Sequence, residues 1–353
     1  MQPSHIIRIL FLSAWYPTQR DAMAGLFVQK HAEALMRQGA DVRVLFSEAT
    51  GIRWYREIWQ GWNKLQREWG LPDVVQMNVL DKNGLLALYL KHRYHIPYFI
   101  IEHWSGYLPA NFSFRGGWHA QIMRHIARCA NAIFPVSNML ENAMRTCGIT
   151  NTHWMKINNV VDDFFYLPYK KEPRAKKRLL HVSCFDEKAK NIKGLLRATR
   201  KVAEQRQDFE LVIVGTGVDF AEDRRFADSL CFPPDMLTFT GEQTPQQVCH
   251  WMQQSDAFVL FSRYETAGVV LAECLAVGLP IIGSDAGAIP EVVNPQTGIL
   301  VPSEDEEKLA AAICYMLDHH QDFDTSHLRT LGKAYSFDQV GKKLLTAYTD
   351  FAK

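Results

Sequence analysis

Apolar residues along this chain fall into short blocks, and stretches of helical period separate the blocks. Ile6–Ser13 is a mostly apolar run of the kind found in strands buried on both faces. Phe27, His31 and Leu35 then recur at helical spacing, Gly39 closes that helix, and Asp41–Phe46 reads as the next strand. A β-α-β unit of this kind implies parallel pairing through a right-handed crossover. Strands follow at Val74–Val79, Tyr98–Ile101 and Ala132–Val136, with helices around Leu85–Arg93, His119–Ala130 and Ser137–Cys147. The alternation then restarts. Leu179–Ser183, Glu210–Gly215, Thr238–Gly241, Ala257–Phe261 and Pro280–Ser284 read as strands. Thr244-Pro245-Gln246-Gln247 has the form of a capping box with proline at the first helical position, and Ser303-Glu304-Asp305-Glu306 reads as a second box. In the last segment, Ser336 to Lys353, an amphipathic helix places Val340, Leu344, Leu345, Tyr348 and Phe351 on one face.

Between the two runs lies Tyr169–Arg178, YKKEPRAKKR, which is basic, contains Pro173 and has no apolar period. It reads as a linker, the alternative being a solvated loop within one domain. The expected organisation is a first domain over 1–168, a linker over 169–178, a second domain over 179–335 and a separate helix over 336–353. The fold class is α/β: two Rossmann-like, doubly wound domains facing across a cleft.

Length agrees with two domains, since 353 residues exceed what one core usually serves. A hydrophobic content of 47% and a charged content of 22% are those of a soluble globular chain. The formal charge of +1 removes any global electrostatic case for nucleic acid. Seven cysteines, an odd number with no C-x-x-C, indicate reduced, buried thiols and neither a disulfide frame nor a zinc site. The apolar run at Ile6–Leu12 is far shorter than the ~20 residues of a membrane span and lacks a signal-like cleavage site. A cytoplasmic protein is expected, soluble or peripheral on the membrane.

Candidate chemistry concentrates in Ser262 to Val293, SRYETAGVVLAECLAVGLPIIGSDAGAIPEVV. Glu265 falls at the carboxyl edge of a strand, where open α/β sheets bind ligands. Thr266-Ala267-Gly268 is a turn of small residues that lets backbone N–H groups approach a ligand. The helix that follows, from about Val269, offers its N-terminus to a phosphate. Glu273 is expected about two turns in, ~12 Å from Glu265 along the axis. That is too far for the two carboxylates to act on one atom, whereas a glycosidase pair stands ~5–9.5 Å apart. The pair suits a long ligand bearing hydroxyls and a diphosphate, a nucleotide sugar. The plain alternative has Glu265 capping the helix and Glu273 on a solvated face. His103, just after a strand, can hydrogen-bond a sugar hydroxyl or an acceptor, or can be structural. Gly25 lets the loop ahead of the first helix approach a ligand, or simply starts that helix. The G-T-G at Gly215–Gly217 lacks the third glycine of a dinucleotide fingerprint, so a dehydrogenase is rejected.

The segment resembles the E-x7-E motif of family 4 glycosyltransferases, the retaining class with the two-domain GT-B fold. The resemblance continues through Gly287-Ala288-Ile289-Pro290-Glu291-Val292, Gly298 and Leu300-Val301-Pro302. It extends upstream to Val214-Gly215-Thr216-Gly217, Thr240-Gly241, Asn159–Asp162, and AWYP with Ala24–Val28 and His31. It implies that Glu265 holds hydroxyls of the donor sugar and Glu273 the ribose. The N–H groups near Ala267 to Val269, with Thr266, Gly268 and the Gly215 turn, would receive the diphosphate. It implies transfer with retention and no metal or other cofactor, the nucleotide-diphosphate sugar being a co-substrate. The acceptor would be a saccharide or a lipid-linked molecule, in surface polysaccharide or glycolipid synthesis. The last helix would cross back to the first domain, and related enzymes carry a histidine near the donor sugar where this chain has His103. Rival readings are a GT-B-fold epimerase or hydrolase acting on nucleotide sugars, and a non-catalytic protein that binds them.

One position departs from the pattern. The family offers an arginine and a lysine to the diphosphate after the first strand of its donor domain. Here Cys184 stands at the arginine position and Lys190 best matches the lysine, with Lys188 and Lys193 the alternatives. Separately, Trp54, Ile58, Trp62, Leu65 and Trp69 recur at helical spacing within a basic stretch, 53–69, a candidate membrane-surface contact. The alternative is a helix packed on the first domain's sheet.

Overall fold

The computed structural model describes residues 6–21, 23–114 and 116–352. Residues 1–5 of the expected first domain and Lys353 of the expected last helix lie outside them. The chain divides into two compact units, Met1–Val160 with Phe337–Lys353, and Val161–Ser336.

In the first unit the elements run β1 (Arg8–Ser13), α1 (Leu26–Arg37), β2 (Asp41–Leu45), α2 (Gly51–Trp69), β3 (Val74–Asn78), α3 (Gly84–Tyr94), β4 (Tyr98–Glu102), α4 (Trp118–Cys129), β5 (Ala132–Pro135) and α5 (Asn138–Thr146). The strands form a parallel sheet of order β2-β1-β3-β4-β5. The second unit runs β6 (Lys177–Val182), α6 (Glu187–Lys190), α7 (Ile192–Ala203), β7 (Phe209–Val214), α8 (Phe220–Ser229), β8 (Leu237–Gly241), α9 (Pro245–Gln253), β9 (Ala257–Leu260), α10 (Val269–Val277), β10 (Ile281–Ser284), β11 (Gly298–Val301), α11 (Glu306–His319) and α12 (Thr325–Gly332). Its parallel sheet has the order β11-β10-β9-β6-β7-β8. A last helix, α13 (Phe337–Phe351), belongs to the first unit. Both units are therefore Rossmann-like.

The apolar runs follow from burial on both faces. In the second sheet Leu179, Leu211, Ile213, Ala257 and Val259 enter one core. Their neighbours Leu180, Val212, Val214, Phe258 and Leu260 enter the other. Alternate residues of a strand point to opposite faces, so a strand covered on both sides must be apolar throughout. In the first unit Phe11, Phe99 and Phe134 meet α1 and α13. Tyr348 of α13 lies 5.0 Å from the Phe99 ring, ring centre to ring centre, and its hydroxyl donates to Gln76 Oε1.

Several expectations are corrected. The basic segment 169–178 is part of the second unit. Lys171 and Arg174 pair with Asp256 at 2.6 and 2.9 Å, and Lys177 and Arg178 open β6. Part of its positive charge serves that carboxylate, Arg178 pairs with Glu210 at 2.7 Å, and the chain passes between units at Val160–Val161. The capping box Thr244–Gln247 is present, but Ser303 caps nothing. Asp305 caps α11, accepting from Lys308 N at 2.9 Å, and Ser303 N donates to Asp285. β11 was not expected as a strand. Cys249 and Cys274 are buried as expected, but Cys184 and Cys231 are exposed. Trp54, Ile58 and Trp62, the stripe offered to a membrane, are 4%, 1% and 1% exposed. They pack inward on the side of β2, and the large apolar groups that α2 leaves exposed are Ile52, Tyr55 and Trp59. Among the described residues no helix is long and apolar enough to cross a membrane.

Candidate functional site

In the second sheet the chain runs outward from β6 to β8, then returns to place β9 on the other side of β6. The loops that leave β6 and β9 therefore diverge from one switch point, where doubly wound sheets take their ligands. The loop after β6 leads into α6, a single four-residue turn capped by Asp186. Lys190 is its last residue. The loop after β9 carries Ser262, Arg263 and Glu265.

These two loops bring Lys190 and Glu265 together. The Lys190 ammonium donates to Glu265 Oε1, which also accepts from the Ser262 hydroxyl at 3.1 Å. Ser284 Oγ in turn donates to the Ser262 carbonyl at 2.6 Å. The two paired side chains are only 15% and 11% exposed. Burial works against the Lys190 ammonium, but the adjoining Glu265 carboxylate outweighs it and raises its pKa, so the amine is charged. The backbone of Glu265 is held as tightly. Its carbonyl accepts from Ala288 N at 3.0 Å, and Gly287, at φ 59, lies so close to it that any Cβ there would collide.

Arg263 fastens one loop to the other. Its backbone N–H donates to Ala189 O at 2.7 Å, and its guanidinium donates to Glu187 O, to Asn191 Oδ1 at 2.8 Å and to Glu304 at 2.7 Å. Beneath them His181 is fully buried. Its Nδ1–H donates to Val259 O at 2.9 Å, so Nε2 accepts from the Ser183 hydroxyl at 2.7 Å. Burial takes its pKa down to about 4, and the ring is neutral. Cys184 stands exposed in the same loop.

Thr266, Ala267 and Val269 are half-buried around Gly268, a left-handed N-cap with no side-chain cap. Helix α10 begins at Val269, so Glu265 precedes it. Glu273 is its fifth residue, about one turn (~6 Å) past the start, and the two-turn separation expected from the sequence does not apply. Burial and then the Glu273 charge raise the Cys249 thiol to about 12, and burial, then Asp163, Tyr335 and Glu273, raise Tyr166. Glu273 thus lies within electrostatic reach of Cys249 in α9 and of Tyr166. Gly215 follows β7, at φ 127, with its N–H on Gly241 O at 2.9 Å, and a side chain there would collide with Ser183 O.

The remaining candidates belong to the first unit. Gly25, at φ 68, is the N-cap of α1, and a side chain there would strike the Trp15 carbonyl and Tyr16 N. The His103 ring lies against Phe27, 3.9 Å between centres with the planes tilted by 31°, and is 5.7 Å from the His31 ring. His31 Nε2–H donates to Asn158 O at 3.0 Å, leaving Nδ1 buried without a partner, as is His103 Nε2. Burial lowers both rings' pKa values, His31 to about 4. The His103 loop hangs on Glu102, which is fully buried. Its carboxylate accepts from the backbone of His103, Trp104 and Leu80 at 2.8, 2.9 and 2.9 Å. Burial outweighs these three bonds and brings its pKa to about 7. Beyond β1 and β2 an open pocket of about 740 Å³ is lined by Thr18, Arg20, Ser47, Glu48, Arg53 and Glu57.

Sequence reasoning did not single out Ser262, Arg263 or Glu102. Ser262 and Arg263 lie within the motif itself, and the three-residue spacing of Ser262 and Glu265 could have suggested their bond, but the partners of Arg263 are far away in sequence.

Two family models match the chain: Glycosyltransferase Family 4 over residues 24–163 and Glycosyl transferases group 1 over residues 176–319. Together they take in most of it. Among curated proteins, N-acetyl-alpha-D-glucosaminyl L-malate synthase of Bacillus anthracis is 26% identical over 233 residues, 63% of this chain and 60% of that protein. GDP-mannose-dependent monoacylated alpha-(1-6)-phosphatidylinositol monomannoside mannosyltransferase of Corynebacterium glutamicum is 30% identical over 132 residues, 35% of this chain and 34% of that one. The chain thus aligns with about three fifths of the first and a third of the second. Among solved structures, Anabaena HepE in complex with UDP superimposes with a TM-score of 0.76 at 15% identity, covering 98% of this chain and 100% of that one. That likeness is one of fold.

Proposed function

The chain belongs to glycosyltransferase family 4, and from that premise we propose that it is a retaining transferase that moves a sugar from a nucleotide-diphosphate sugar to a saccharide or lipid-linked acceptor. The observation that carries this reading is the Lys190–Glu265 contact at the switch point, with the open start of α10 beside it. A departing diphosphate needs positive charge. Lys190 supplies a point charge, and the first N–H groups of α10 supply directed donors. Glu265 accepts from hydroxyls of the transferred sugar, and Glu273 from the ribose. The acceptor oxygen bonds to the anomeric carbon on the face the diphosphate leaves, and the acceptor proton passes to the departing phosphate oxygen. His103 Nε2, buried and unpartnered, suits a hydroxyl of the sugar or acceptor.

The relative named for GDP-mannose and the neighbour solved with UDP support a nucleoside diphosphate donor of either base class. The relative named for a phosphatidylinositol mannoside supports a lipid-linked acceptor. The pocket at Arg20, Arg53 and Glu57 is the place offered to the acceptor's polar part. A cytoplasmic protein touching the membrane through Ile52, Tyr55 and Trp59, in surface polysaccharide or glycolipid synthesis, fits this reading. A second reading, a sensor that binds nucleotide sugars without turning them over, draws on the exposed Cys184 where the family has an arginine.

A thermal-shift screen of nucleotide sugars identifies the donor, since a bound ligand raises stability by mass action. Release of nucleoside diphosphate is then measured across an acceptor panel. Acceptor-dependent release that Glu265→Gln removes supports transfer. Tight binding with no release supports the sensor.

A further inference from the structure

We propose that Arg263 is the positioning residue for Lys190, and that it sets the ammonium where the donor's diphosphate departs. The inference rests on the role given to Lys190 above. Lys190 is held from the β9 loop at two levels. Glu265 takes its side chain, and Arg263, two residues earlier, takes the backbone that carries it. A four-residue turn has little stability of its own, because a helix nucleus is unfavourable until neighbouring groups support it. Here the support is specific. Arg263 donates to the Glu187 and Ala189 carbonyls, which belong to α6 itself, and to Asn191 Oδ1 just beyond it. The guanidinium bond to Glu187 O adds to the bond that closes the turn, from Asn191 N to the same carbonyl at 3.1 Å, while the Arg263 backbone N–H meets Ala189 O.

Asn191 shows what the clamp restrains. It is a non-glycine residue at φ 51, 2% exposed, and it joins α6 to α7. Such a left-handed residue persists only where its surroundings hold it. Without the guanidinium, the Asn191 amide and the Glu187 carbonyl lose a donor together, and only the backbone bond to Ala189 O remains. The turn that aims Lys190 is then free to settle elsewhere. The planar fork is essential, because a lysine at 263 cannot reach several acceptors at fixed angles. Glu304 holds the outer edge of the same guanidinium and is mostly exposed, so it is the dispensable partner.

The test is a double-mutant cycle on the full-length chain, with UDP and GDP each titrated by calorimetry and the tighter one carried through. Arg263→Gln is expected to weaken nucleoside diphosphate binding roughly tenfold, within the range for coupled charged groups. In a Lys190→Gln background the same change is expected to have no further effect, because Arg263 acts through Lys190. Arg263→Lys should fall between, and Glu304→Gln should leave binding unchanged. Lys190 is also followed by amine labelling read by mass spectrometry. In Arg263→Gln, protection of Lys190 by the nucleoside diphosphate should be lost while labelling of other lysines is unaltered. Equal losses in both backgrounds, or an Arg263→Gln chain that binds and protects normally, overturn the proposal. If Arg263→Gln does not fold, the cycle is run with Arg263→Lys under the same criteria. A Lys190→Gln chain that binds the nucleoside diphosphate as well as the parent overturns instead the role assigned to Lys190.

Discussion

The Lys190 ammonium and the Glu265 carboxylate neutralise each other in a setting that leaves neither much water. A phosphate that enters must compete with Glu265 for that ammonium. A nucleoside diphosphate alone would leave Glu265 buried and unpaired, whereas the sugar of a complete donor brings hydroxyls to replace the lysine. Glu265→Gln is therefore expected to tighten nucleoside diphosphate binding about tenfold, the worth of one charge-assisted hydrogen bond. It should also lower sugar transfer roughly a hundredfold or more. Calorimetry and product release measure the two effects, and weaker diphosphate binding in the variant contradicts the competition.

The same pair makes a stability prediction. Lys190→Gln strands the Glu265 carboxylate and should cost roughly 3 kcal/mol, the low end for a largely buried pair. Replacing both residues by Gln should recover most of that loss and none of the turnover. Denaturant melts of the two variants check this, and a double variant less stable than the single refutes it.

Buried titratable groups in the first unit give opposite pH slopes. Glu102 has a folded pKa of about 7, above its ordinary value, so the folded state holds the extra proton. Its contribution is complete in acid and is lost as pH rises through 7. His31 has a folded pKa of about 4, below its ordinary value. Its contribution is complete above about 6.5 and is lost as pH falls toward 4. The melting temperature of Glu102→Gln relative to the parent should rise between about pH 4.5 and 7. That of His31→Asn relative to the parent should rise as pH falls from about 6.5 to 4. Differences that do not vary with pH contradict both assignments.

Helix α2 separates two uses of tryptophan. Trp62 is 1% exposed, and Trp62→Ala should destabilise the chain by about 3–5 kcal/mol. Trp59 is 37% exposed, and Trp59→Ala together with Tyr55→Ala should leave stability nearly unchanged. The same pair of changes should abolish sedimentation with anionic liposomes. Sedimentation that survives them, or that the parent never shows, ends the membrane contact.

How far the sequence could be read depended on the range of the interactions concerned. Strands such as Val74–Asn78 were legible because burial on both faces leaves an apolar run, and the Thr244 cap because its partners lie within three residues. The place of Glu265 just past the carboxyl end of a strand was legible from the apolar run before it. Arg263 was not, because its partners at 187–191 and 304 are set by strand order and not by spacing. The amphipathic period of 53–69 was real, but a period shows only that one face is apolar. Whether protein or lipid covers it depends on how the helix folds back on β2, which the period does not state. Glu273 was placed too deep because the turn at 266–268 was counted as helix.

Helix α13 has a consequence for how this protein comes into being. The unit that holds residues up to Val160 draws Val340, Leu344 and Tyr348 from beyond the other unit. During synthesis residues 161–336 emerge with every strand of their own sheet in hand, while the earlier-made half waits with an apolar surface uncovered. Domains generally fold as they emerge, first-made first. Here the first-made unit is the last that can be finished, and a ribosome stalled before residue 337 leaves a chain whose later unit is whole and whose earlier unit is not.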